Sequence, residues 1–354
     1  MRISPFDLER WLAESAADAA VSLAGRDVRP PPTEDFDLDP GRLGAAVPTG
    51  GSSAFSVDLG AYHGREASET IVTPGLREAN LLAALAVVDE HAVVVTPAST
   101  SFLGLADALG DVAAVRLEGP GWTLDPAAIG AALEPWTDLV AVVNPNDPTG
   151  RSHDEATMRA VYERCADNGT YLLCDERFRP LDPDPIPPVA ARGRYGISTG
   201  SVSTAFGLAG LRVGWLCGPP AVVSAAESWA DYTSGPPSGI GLHVAEQAFD
   251  RRGSILPKTR AHVAENRTAV EALLDAHGLA WSDPDCGTRA LCAVPEGFAG
   301  GRSFCRSVLT EASVALAPGE AVGCPDRFVI GLGAPASELE AGLSRLDTFL
   351  QRHR

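Results

Sequence analysis

The chain predicts an α/β fold: a large unit with a mostly parallel sheet between helices, then a smaller α/β C-terminal domain. Three observations carry this. From about Ser52 to Asp250, short apolar runs (TIVT, AVVVTP, VAAVRL, LVAVVNP, YLLCDE, ISTGSVS and VGWLCG) alternate with Ala- and Leu-rich helical stretches. Runs that are apolar at successive positions suit strands covered on both faces, as in parallel sheets flanked by helices. A long helical pattern from about Pro257 to His277 then leads to two further strands, near ALCAVP and RFVIGLG.

Taken in order, residues 1–50 form an N-terminal helix and arm, 51–250 the large domain, and 251–354 the interdomain helix and small domain. The first helix is expected over residues 1 to about 24, with Ser4, Pro5 and Asp7 as its start signal. The Pro- and Asp-rich segment RDVRPPPTEDFDLDPGRLG then predicts a surface connection without a compact element. In open α/β sheets, ligands sit at the carboxyl ends of the strands, so the residues that end these runs are the candidates for chemistry.

Composition narrows the function. With 354 residues and 45% hydrophobic content, the chain is long enough for a large core. No run of about 18 apolar residues and no basic-then-apolar leader is present, so neither a membrane span nor a signal peptide is expected. The seven cysteines are scattered without CxxC spacing, which predicts a reducing cytoplasm and neither disulfides nor a metal site. A net charge of −18 argues against nucleic acid or an anionic membrane as partner.

Four ordered segments carry a resemblance. TIVTPGLREANLLAALAVV reads as a strand, a turn at Gly75 and a helix; AVVNPNDPTG as a strand ending in a Pro/Asn/Gly turn; YLLCDERF as a buried strand ending at Asp175; and SVSTAFGLAGLRVGW as a second strand–turn unit. Together they resemble fold-type-I pyridoxal phosphate enzymes of the class I/II aminotransferase group. The resemblance implies that the helix after Gly75, with Ser201, Ser203 and Arg212, receives the cofactor phosphate, as helix N-termini favour anions. It implies that Asp175 pairs with the pyridine nitrogen, and that Arg327 in PDRFVIGLG takes a substrate carboxylate with its planar fork. The opening ISPFDLERWLAES also resembles a subgroup that includes amino-acid-cyclising enzymes of antibiotic pathways. A homodimer with a shared site follows from the resemblance.

Departures from that pattern concentrate at the cofactor. Lys258 is the only lysine, and the Schiff-base position holds Thr204, whose hydroxyl cannot form an imine. The stacking aromatic falls at Ser99, the tyrosine on the phenolic oxygen at Phe178, and the asparagine sharing that oxygen at Asp147. Leu76 and Arg77 replace two small residues after Gly75, and AAVPTGGSSAF lacks the partner-directed tyrosine.

These residues frame the expectations. Catalytic candidates are Asp175 and Asp147, either as a proton donor–acceptor pair or as carboxylates that hold an amine or guanidinium group, with Thr204 either space-filling or a nucleophile; Asp147 could instead cap the turn before Pro148. Substrate candidates are Arg327, Asn144, Ser99, Phe178 and Arg77, and the anion candidates are Gly75, Ser201, Ser203 and Arg212. Lys258 reads as a solvated helix residue, and His63, His91, His153, His243 and His262 as isolated. The leading expectation is an aminotransferase-like biosynthetic enzyme that binds a carboxylate-bearing, amino-acid-like metabolite and has no covalent cofactor. Two alternatives stand beside it: noncovalent pyridoxal or pyridoxamine phosphate, and a non-catalytic partner subunit, as a homodimer or a heterodimer with an active homologue.

Overall fold

The computed structural model describes residues 4–44, 47, 53–98, 102–117 and 119–353. Its helices are α1 (Asp7–Asp18), α2 (Ser53–His63), α3 (Leu76–Val87), α4 (Phe102–Leu109), α5 (Pro126–Ala132), α6 (Glu155–Asn168), α7 (Pro220–Ala230), α8 (Gly239–Asp250), α9 (Arg252–Ala276), α10 (Gly301–Ala312) and α11 (Ala336–Arg352). Its strands are β1 (Val21–Ser22), β2 (Thr70–Thr73), β3 (His91–Thr96), β4 (Asp111–Arg116), β5 (Thr137–Val143), β6 (Tyr171–Asp175), β7 (Gly196–Ser201), β8 (Gly214–Cys217), β9 (Arg289–Ala293), β10 (Val314–Ala315), β11 (Ala317–Pro318) and β12 (Arg327–Gly331).

The main sheet has the order β2-β8-β7-β6-β5-β3-β4, and β8 alone runs against the others. All seven apolar runs of the sequence are strands of this sheet. Both faces are covered, which is why the runs are apolar throughout. One face packs Ile71, Ala141, Leu173 and Leu216 against α3 and α7. The other packs Val140, Val142, Leu172 and Cys174 against Met158, Val161 and Cys165 of α6. Alternation along β6 therefore sends Asp175 to the α3 side and Cys174 to the α6 side.

A second core joins the chain's two ends. Trp11 of α1 lies among Phe304, Phe328, Leu346 and Phe349 and donates from Nε1 to the Leu316 carbonyl at 2.8 Å. The three-stranded sheet β11-β12-β9 and the parallel pair β1-β10 complete it.

Three local expectations change. The first helix ends at Asp18, because Val21 and Ser22 are drawn into register with Val314 and Ala315. The acidic connection contains two short 3-10 turns, Thr33–Asp35 and Pro40–Gly44. The long helix begins at Arg252, five residues before Pro257, and carries that proline inside it. Among the described residues no helix is long and apolar enough to cross a membrane.

Candidate active site

Asp175 ends β6 and is fully buried. Its Oδ2 accepts from Asn80 Nδ2 of α3 at 3.1 Å, and Asn80 Oδ1 accepts from Thr199 Oγ1 at 2.6 Å. The dominant partner is Arg177, two residues on. Its Nε lies 3.0 Å from Oδ1 and 3.2 Å from Oδ2 of Asp175, its Nη2 donates to the same Oδ2, and its Nη1 reaches Asp147 Oδ2 at 3.2 Å. Asp147, also fully buried, has a second guanidinium close by: Arg289 Nη1 is 3.6 Å from its Oδ1. Arg289 itself is fully buried on β9 and donates from Nη2 to the Ala24 carbonyl at 3.0 Å.

The electrostatics follow from this packing. Burial pushes the Arg177 guanidinium down, but Asp175 and Asp147 outweigh it and hold the group above its ordinary value. Arg26 shows the opposite balance: burial and the nearby Arg289 and Arg177 push it down to about 10, against the pull of Asp147 and Glu9. A lone buried ion would be strongly disfavoured, so each carboxylate here depends on its guanidinium.

Two of the four anion-binding candidates, Gly75 and Arg212, are in contact. Gly75 is the N-cap of α3 with φ +92°, and Arg212 Nη2 lies 3.4 Å from the Pro74 carbonyl. A Cβ on Gly75 would come within 2.7 Å of that Nη2 and push the guanidinium aside, and the φ of +92° itself favours glycine. Ser201 Oγ accepts from the Ser203 backbone N–H at 3.3 Å, at the end of β7.

Several sequence expectations need correction. Asp175 and Asp147 are not open proton carriers, because Arg177 occupies both carboxylates. Phe178 does not face a substrate; it is fully buried among Phe55, Val202 and Phe206, and a Cβ on Gly287 would lie 2.7 Å from its Cδ2. Asn144 holds the following loop, accepting from the His153 backbone N–H at 2.9 Å and donating to the His153 carbonyl at 3.1 Å. Arg77 pairs with Glu9 of α1 and is half exposed, so it is neither purely solvated nor a free anion contact. Arg327 lies beside Asp326 at 3.4 Å and over the Trp122 ring at 5.8 Å. It is opposite Ala293, whereas Arg289 is opposite Gly331, four residues along the strand and roughly 13 Å away. Thr204 is 97% buried just after β7, its carbonyl accepting from the Gly207 N–H at 3.3 Å, with no histidine hydrogen-bonded to it among the described residues. Ser99 lies outside the described residues.

Arg177, Arg289 and Arg26 were not singled out by sequence reasoning. One signal was available: an arginine inside the buried run TRALCAV and another directly after a strand-end aspartate are costly unless paired.

The sheet order, the lone reversed strand β8 and the glycine turn that opens α3 define a fold-type-I architecture of the pyridoxal-phosphate-dependent kind. The chain belongs to the class I and II aminotransferase family, whose profile matches residues 24–346. It is 30% identical over 282 residues to capreomycidine synthase of Streptomyces vinaceus, covering 75% of this chain and 69% of that protein. Aspartate aminotransferase of Geobacillus stearothermophilus is 23% identical over 328 residues, covering 86% and 83%. Among solved structures, a PLP-dependent aminotransferase from Streptococcus suis 89-1591 superposes with a TM-score of 0.92 at 23% identity, covering 100% and 99% of the two chains. The PLP-dependent cyclase OrfR superposes at 0.89 with 27% identity, again covering 100% and 99%.

Family membership makes pyridoxal phosphate the cofactor expected of this fold. The residues present fit only half of it. Gly75 at the N-terminus of α3, with the Arg212 guanidinium beside it, suits a phosphate. The ring end does not fit: the two carboxylates assigned to the ring's nitrogen and phenolic oxygen are joined through one guanidinium, and the sole lysine, Lys258, is exposed on α9.

Proposed function

We propose that this chain is an aminotransferase-fold protein of specialised, amino-acid-derived biosynthesis that forms no internal aldimine and performs no transamination in its own cleft. The observation that carries the reading is the Arg177 bridge between Asp175 and Asp147. A guanidinium there supplies the hydrogen bonds and positive charge that a bound pyridinium would supply, and it fills the space between the carboxylates. Threonine at position 204 removes the covalent anchor independently. The similarity to capreomycidine synthase supports the biosynthetic setting.

With both aspartates committed to Arg177, acid/base turnover of a carboxylate substrate loses its expected proton carriers, and a non-catalytic binding or partner role is the reading the geometry favours. The partner is a homodimer mate or an active homologue, and a cytoplasmic setting accords with seven free thiols. One observation favours a second reading, a reversibly held phosphate-bearing ligand: the Gly75–Arg212 cup is kept although the ring contacts are not.

Equilibrium dialysis with pyridoxal phosphate tests the proposal. The wild-type protein retains no stoichiometric cofactor and turns over no amino donor with a 2-oxo acid, whereas Arg177→Ala gains measurable retention. Transamination by the wild-type protein would overturn the reading. Retention of unreacted cofactor, lost in Arg212→Ala, would favour the second.

A further inference from the structure

On the α6 face of the sheet, away from Asp175, lies a cavity of about 220 Å3 lined by residues with no part in the cleft. It is smaller than the roughly 300–1,000 Å3 of drug-sized sites, which limits an occupant to about the size of an amino acid. Its walls mix apolar residues, among them Pro145, Ile186 and Val189, with polar ones.

The polar lining includes groups whose hydrogen bonding is incomplete. Glu176 is 95% buried; its Oε1 accepts from the Val189 N–H at 2.7 Å and from Ser198 Oγ at 2.8 Å, while Oε2 has no hydrogen-bond partner among the described residues and lies 3.6 Å from His63 Nδ1. Arg179 donates from Nε to the Ile186 carbonyl at 3.1 Å and stacks 4.7 Å over Tyr62, which leaves Nη1 buried and unmatched. Ser152 Oγ and Nε2 of the 94% buried His153 are likewise unmatched. Buried polar atoms are paired in the great majority of cases, so four at one cavity point to a ligand. Two of them, from Arg179 and Ser152, can donate, and the Glu176 oxygen is an acceptor; a second carboxylate, Asp182, also lines the cavity, with its Oδ1 accepting from the Asp184 N–H at 2.9 Å. Asp154 also lines the cavity but is committed to the Thr157 N–H of α6 at 2.7 Å.

We propose that this cavity binds a compact zwitterion, an α-amino acid, with its ammonium group on Glu176 and Asp182 and its carboxylate on Arg179 and Ser152. A diamine would leave the Arg179 and Ser152 donors unmatched, and a dicarboxylate would set charge against Glu176 and Asp182. The site stands apart from the aminotransferase-like cleft, and the inference does not depend on what the cleft binds.

Calorimetric titration of the wild-type protein with each protein amino acid, and with putrescine and succinate as single-sign probes, tests it. At least one amino acid is expected to bind, with putrescine and succinate at least about tenfold weaker. Ser152→Ala and Arg179→Met should each weaken that binding about tenfold or more, since a lost hydrogen bond to a charged group is worth about that much. Ser152→Ala alters a partly exposed loop residue and so reports even where Arg179→Met fails to fold. Arg212→Ala, in the cleft, should leave binding unchanged. Absence of binding by every amino acid, equal or tighter binding of either single-sign probe, or loss of binding in Arg212→Ala but not in Ser152→Ala would each overturn the proposal.

Discussion

Arg177 Nη1 lies 3.2 Å from Asp147 Oδ2 while the Nε edge of the same guanidinium holds Asp175, so one side chain bridges the two buried carboxylates. The stability cost of removing it should be large. Arg177→Leu leaves two buried carboxylates short of a counter-charge and is expected to lower unfolding free energy by roughly 3–5 kcal/mol in urea denaturation. Adding Asp147→Asn and Asp175→Asn to that variant should recover at least half of the loss, because the uncompensated charge disappears with the carboxylates. A triple variant no more stable than Arg177→Leu would show that the arginine acts by packing alone.

Arg289 on β9 and Arg327 on β12 separate by environment. Arg289→Met, at a fully buried site that faces Asp147, should destabilise by several kcal/mol, on the order of 3. Arg327→Met, at a partly exposed pair with Asp326, should change stability by under about 1 kcal/mol. Equal effects in thermal or urea melts would contradict the placement of these side chains.

Acid sensitivity should come from two buried histidines. Burial, with Arg179 adding to it, pushes His63 down to about 3, and burial pushes His153 down to about 4. Each is neutral in the folded state and takes up a proton in the unfolded chain near pH 6.5. The stability they contribute is therefore complete above about pH 6.5 and falls as the pH drops towards 4 for His153 and 3 for His63. The expected slope is roughly 1.4 kcal/mol per pH unit for each histidine. Replacing His153 by Asn should remove about half of that dependence between pH 6 and 4.5, as read from urea midpoints.

At the anion cup, Gly75→Ala should act through both backbone and contact. The φ of +92° disfavours any side chain, and the added carbon would displace Arg212. A loss of roughly 1–3 kcal/mol is expected, with weaker binding of inorganic phosphate measured by calorimetry. Unchanged phosphate binding would mean that Arg212 and α3 do not form one site.

Much of this was legible in the sequence, for physical reasons that differ by residue. TIVT and LVAVVNP announce buried strands because each residue must face apolar neighbours on one side of the sheet or the other. Gly75 and Asp175 were placed correctly because a turn and a strand end fix the backbone, and the backbone fixes where they point. What occupies the space beyond a strand end depends on side-chain reach, and spacing alone could not show Arg177 folding back onto Asp175 rather than outward. At Arg327 the motif could not show the surroundings: this residue starts β12 beside Asp326, whereas the fully buried arginine of the same sheet, Arg289, lies at the other end, opposite Gly331. The end of the first helix was hidden because β1 forms only by pairing with Val314 and Ala315, almost 300 residues on.

Borohydride reduction after incubation with pyridoxal phosphate, followed by intact-mass and peptide analysis, tests the central claim most directly when applied to the wild-type chain, Thr204→Lys and Thr204→Lys/Arg177→Ala. No adduct is expected on the wild-type protein, little on Thr204→Lys because Arg177 still bridges the two aspartates, and a stoichiometric adduct at position 204 in the double variant. A stoichiometric adduct on Lys258 of the wild-type protein, or full labelling of Thr204→Lys with Arg177 in place, would contradict the claim.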